Sequence, residues 1–127
     1  MAKILLVEDD LPFALQVKDA FELKDYLVDL AHSSSEARAY LSAAKYDLVV
    51  LAWGLPDAPG IDLCQEIRSS QVGNVPVLFL TGRSQMSDKQ QGFDCGADDY
   101  LTKPFHIEAA CRSANKRLLS RVLLPAS

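Results

Sequence analysis

The chain has 127 residues, of which 49% are hydrophobic and 24% charged, with a formal net charge of -4. That is the size of one domain able to bury a core without disulfides or a structural metal, and the acidic balance with no Lys/Arg run argues against direct binding to nucleic acid or an anionic membrane. Three cysteines, Cys64, Cys95 and Cys111, have no CxxC spacing and no zinc-like histidine partners, so they read as buried free thiols in a reducing, cytoplasmic setting.

In chain order, the first apolar run is Ile4 to Val7, preceded only by Met1-Ala2-Lys3, and it ends on the acids Glu8, Asp9 and Asp10. It is too short and too soon charged for a signal peptide, and no later apolar run is long enough to span a bilayer. Asp10, with Pro12 two residues on, predicts a helix start, and Phe13, Val17, Ala20 and Phe21 place an apolar stripe on that helix. A second run, Tyr26 to Leu30, predicts a strand. Ser33 with Glu36 has the S-x-x-E form of a capping box, opening a helix whose apolar face is Ala37, Tyr40, Leu41 and Ala44. Further strands are expected at Leu48 to Leu51, Val75 to Leu80, and Tyr100 with Leu101. Ser84 is a weaker candidate cap, and a last helix is expected at roughly 107–119.

Short continuous apolar runs alternating with amphipathic stretches predict a doubly wound (βα)5 α/β fold with helices on both faces of a parallel sheet. A single domain is placed at 1–121, with 122–127 a tail or the start of a linker. In such a sheet, ligands gather beyond the carboxyl ends of the strands. The residues there are Glu8, Asp9 and Asp10, then Ala52, Trp53 and Gly54, then Thr81 and Gly82, then Thr102, Lys103 and Pro104. Adjacent carboxylates suit Mg2+, and a lysine and a hydroxyl suit phosphoryl oxygens. Each fragment has a plainer reading: Asp10 as a helix cap, Lys103 as a surface lysine, Pro104 as a turn residue, His32 and His106 as surface residues. Four fragments at the ends of four strands favour a phosphoryl site.

The fragments Lys3-Ile4-Leu5-Leu6-Val7-Glu8-Asp9-Asp10, Tyr46-Asp47-Leu48-Val49-Val50-Leu51, Leu55-Pro56-Asp57, Leu80-Thr81-Gly82 and 96–105 (GADDYLTKPF) resemble those of response-regulator receiver domains, above all the winged-helix, OmpR/PhoB-like class. The resemblance implies the CheY-like sheet order 2-1-3-4-5 and a role in two-component phosphorelay signal transduction and transcription regulation. It also implies Mg2+ held by Glu8, Asp9 and the Gly54 carbonyl. Thr81 and Lys103 would then bind the phosphoryl group, and Tyr100 would be the switch aromatic. The partners implied are a sensor histidine kinase or phosphotransfer protein and an output domain outside this chain; the chain itself is not expected to be an enzyme.

The departure is Ala52, at the position where the family carries its phospho-acceptor aspartate; alanine has no oxygen to phosphorylate, and the loss of a carboxylate should weaken Mg2+ binding. Asp57, several residues along the loop, is no substitute acceptor. Two readings stay open: a non-phosphorylatable, acceptor-substituted form of a working receiver, which the otherwise matching pocket favours, or a natural phosphorylation-independent pseudo-receiver acting as an interaction module. A flavodoxin-like enzyme is disfavoured, because there is no Gly-rich phosphate loop and no nucleophile beside a base. The usual dimer through the fourth helix, fifth strand and fifth helix is in doubt, because Gln90, Gln91 and Ala109-Ala110-Cys111 replace the expected apolar anchors. Trp53 reads either as part of a docking surface or as a partly exposed aromatic shielding its loop.

Overall fold

The computed structural model describes residues 2–70, 75–81 and 99–102, with the backbone alone at 81 and 99–102. Strands β1 (Lys3–Val7), β2 (Leu27–Ala31), β3 (Leu48–Ala52), β4 (Val77–Thr81) and β5 (Asp99–Thr102) form one parallel sheet in the order β2-β1-β3-β4-β5. Helices α1 (Leu11–Leu23), α2 (Ser34–Ala43) and α3 (Gly60–Ser69) fill the first three crossovers. The expected fourth and fifth helices, with Ser84, Gln90, Gln91, His106, Cys95 and Cys111, lie outside the described residues.

The two faces of the sheet follow from the two-residue repeat of a strand. Odd-numbered residues Leu5, Val7, Val49, Leu51, Val77 and Phe79 join Ala37 of α2 and Leu63, Cys64 and Ile67 of α3 in one core. Even-numbered Ile4, Leu6, Leu48, Val50, Leu78 and Leu80 join Ala14, Val17 and Phe21 of α1 in the other. Both faces are covered, which is why β1 and β3 read as continuous apolar runs. Edge strand β2 is less buried, with Leu27 and Asp29 toward solvent, and it starts at Leu27 rather than Tyr26.

Helix starts follow the local chemistry. Asp10 caps α1 by accepting from the Phe13 N–H at 3.3 Å, with Pro12 in the first turn. Ser33 caps α2, its Oγ accepting from the Glu36 N–H at 3.1 Å. The reciprocal arm of the capping box is shifted by one residue, since Glu36 Oε1 accepts from the His32 N–H at 3.4 Å. Tyr40, expected on the apolar face of α2, is 36% exposed, while Leu41 and Ala44 pack partly against the core. Near the start of β3, the Tyr46 hydroxyl donates to Asp29 Oδ2 on β2 at 2.6 Å, and Lys3 Nζ sits 5.2 Å from the Tyr46 ring centroid. Burial, and then the bond to Asp29, push the Tyr46 phenol well above its usual range.

Candidate functional site

Sheet register brings the strand ends together. Val7 pairs with Leu51, so Glu8, one residue on, stands beside Ala52; Ala52 pairs with Leu80, and Thr81 pairs with Thr102. Glu8, Ala52, Thr81 and the residue preceding Lys103 thus lie along one rim, contributed by β1, β3, β4 and β5. Tyr100 pairs with Phe79, so its backbone lies two registers back from that rim. Lys103 lies outside the described residues, and of Thr81 and Tyr100 the backbone position alone is described.

Glu8 is 4% exposed, and its N–H continues the β1–β2 ladder by donating to the Ala31 carbonyl at 2.9 Å. Its Oε2 accepts from the Asp10 N–H at 3.2 Å, which turns the carboxylate toward the start of α1. Asp9 is exposed. Ala52 is 5% exposed and presents a methyl group at the end of β3. No group of three or more acidic, histidine or cysteine side chains suited to a metal occurs among the described residues.

The loop leaving β3 is closely built. Gly54 bridges antiparallel to Pro59, and the Gly60 N–H donates to the Trp53 carbonyl at 2.7 Å. Gly60 lies so close to the Ala52 carbonyl that a Cβ there would overlap it, so glycine is required at the start of α3. Trp53 is 8% exposed and packs on Phe79, with ring centroids 5.4 Å apart and planes at 59°. This corrects both readings of Trp53: it is a core residue with too little exposed surface to dock a partner, because its side chain alternates onto the face shared by Leu51 and Phe79.

Asp57, set aside as an acceptor, has a structural task the sequence did not signal. Its Oδ1 and Oδ2 accept from the Ser34 and Ser35 N–H groups, each at 2.9 Å, so it caps α2 from 23 and 22 residues away. Those amide bonds, from Ser34 and then Ser35, hold the carboxyl below its usual range. No local spacing could have revealed a partner so distant in sequence. A groove of about 460 Å3 between α2 and α3, lined by Leu41, Leu63 and Ile67 among others, lies away from the rim. It is edged by the Arg38–Glu66 pair, in which Arg38 Nε and Nη2 donate at 2.7 and 2.8 Å.

The response regulator receiver domain family matches residues 4–115. The chain belongs to that family. As a receiver domain it is homologous to OmpR/PhoB-type regulators: it is 41% identical over 108 residues to the virulence transcriptional regulatory protein PhoP of Salmonella typhimurium, covering 85% of this chain and 48% of that one. It spans about half the length of the curated relatives it matches. Among solved structures, it is similar to the receiver domain of Francisella response regulator 1452, with a TM-score of 0.90 and 31% identity over 95% of this chain and 99% of the other. It is also similar to the receiver domain of the sensor histidine kinase PA1611 of Pseudomonas aeruginosa, with a TM-score of 0.84 and 27% identity over 92% and 97% of the two chains. That structure has a magnesium ion coordinated in its active-site cleft.

The oxygen donors left on this receiver's rim, the Glu8 and Asp9 carboxylates and the Gly54 carbonyl, are of the hard type Mg2+ takes. Oxygen donors of this kind suit a hydrated divalent cation such as Mg2+.

Proposed function

We propose that this chain is the receiver domain of a two-component response regulator in a non-phosphorylatable form, with the domain at residues 1–121 and a tail or linker at 122–127. The observation that supports the reading is the pairing of Val7 with Leu51, which brings buried Glu8 beside Ala52, the position assigned to the acceptor carboxylate. Glu8, Asp9 and the Gly54 carbonyl are assigned to the cation, Thr81 and Lys103 to phosphoryl oxygens, and Tyr100 to the switch. When bound, Mg2+ supplies charge neutralisation for a phosphoryl group. The chain's own part is positional: Glu8 faces the rim from a buried site, and the amide of Asp10 orients its carboxylate.

With a carboxylate at position 52, the partners would be a histidine kinase or a phosphotransfer protein; in the present form the domain can bind such a partner without accepting its phosphoryl group. The half-length match to transcriptional regulators supports an output domain elsewhere in the full protein. Gln90, Gln91 and residues 109–111, which lie outside the described residues, lack the apolar anchors of the usual dimer through the fourth helix, fifth strand and fifth helix and leave that dimer open. No helix among the described residues is long and apolar enough to cross a membrane. The buried cysteine Cys64 fits a reducing, cytoplasmic setting.

A magnesium titration followed by amide NMR tests the assignment. Shifts are expected at Glu8, Asp9 and Gly54, saturating at lower Mg2+ in an Ala52→Asp protein than in this chain. Absence of those shifts in both proteins would instead favour an interaction module that uses neither metal nor phosphate.

A further inference from the structure

Gly54 is exposed, and a Cβ built there meets nothing within 4 Å beyond its chain neighbours. It has no side chain of its own to anchor the peptide whose carbonyl is assigned to the cation. Its place is set by the loop that carries it. The base of that loop is closed by the Gly54–Pro59 bridge and the bond from the Gly60 N–H to Trp53, and Trp53 is anchored on Phe79. Its far side is held through Asp57, whose two oxygens take the first two amides of α2. Those amides belong to the set a helix leaves without internal partners, and the helix end is electropositive, so the carboxylate is matched in both hydrogen bonding and charge.

We propose that Asp57 is a positioning residue: by clamping the loop between β3 and α3 to the N-terminus of α2, it fixes where the Gly54 carbonyl stands and so sets the affinity of the rim for a divalent cation. The inference rests on the receiver-site reading above. Asp57 itself does not touch the cation; it acts at one remove, as residues that orient a metal ligand do. Ser33 caps the same helix from within α2's own chain segment, its Oγ accepting from the Glu36 N–H, and provides the contrast.

The test is a MgCl2 titration of the Ala52→Asp protein followed by the fluorescence of Trp53, the single tryptophan of the chain. Adding Asp57→Ala is expected to raise the Mg2+ Kd about tenfold, with Asp57→Asn, which keeps one acceptor oxygen, in between. Ser33→Ala is expected to lower the melting temperature and leave the Kd unchanged. If Asp57→Ala also only lowers the melting temperature, with a Kd within about twofold of its parent, the inference is overturned and Asp57 is a helix cap alone. If the Ala52→Asp parent itself gives no saturable response, the reading of the site fails, and the inference falls with it.

Discussion

Ala52 and Glu8 are both buried and stand side by side at the ends of β3 and β1. An aspartate at position 52 would add a buried carboxylate beside that of Glu8, and like charges at short range disfavour ionisation of both. In the absence of metal, the Ala52→Asp protein is therefore expected to be less stable than this chain by about 1–3 kcal/mol. Urea melts in EDTA measure this, and an Ala52→Asp protein of equal or greater stability would refute it. The place of Ala52 at the end of the third strand was legible from the sequence, since the apolar run Leu48 to Leu51 leads directly into it. The environment of Trp53 was not. Its neighbours Ala52 and Gly54 say nothing about a side chain that turns back onto Phe79, a residue 26 positions along the chain.

At the scale of elements, the caps of α1 and α2 were readable because Asp10 and Ser33 act on amides three residues ahead. The strands of the buried sheet centre were readable because β1 and β3 are apolar on both faces. Edge strand β2, half exposed, was displaced by one residue, and Tyr40 on α2 was misassigned because periodicity marks a stripe but not how far the core reaches around it. The link between elements made by Asp57 was invisible, and it carries a pH signature. A carboxyl whose folded pKa is depressed adds stability that is fully present above its unfolded pKa of about 4 and is lost as the pH falls through the lower folded value. Asp57 is held low by the Ser34 and Ser35 amides. The melting temperature of Asp57→Ala should thus lie below that of the parent at pH 7, with the gap closing as the pH drops below about 4. A gap that persists unchanged to pH 2 would show that the charge of Asp57 is not what holds the loop to α2.

For the whole molecule, five parallel strands in the order β2-β1-β3-β4-β5 place the carboxyl ends of β1, β3, β4 and β5 on one rim, the position from which receivers work. The sequence carried this architecture in its alternation of apolar runs and amphipathic stretches, and it carried the rim in four short fragments. What it could not carry were contacts between residues far apart in the chain, including the closed loop after β3. The proposed function turns on position 52, where this chain carries Ala52 in place of a carboxylate that could accept a phosphoryl group. The most direct measurement is the intact mass of this chain and of its Ala52→Asp variant after incubation with a small phosphodonor and magnesium. The account predicts a phosphoryl adduct on the variant alone; a variant that gains no mass would contradict it and leave a binding module that does not use phosphate.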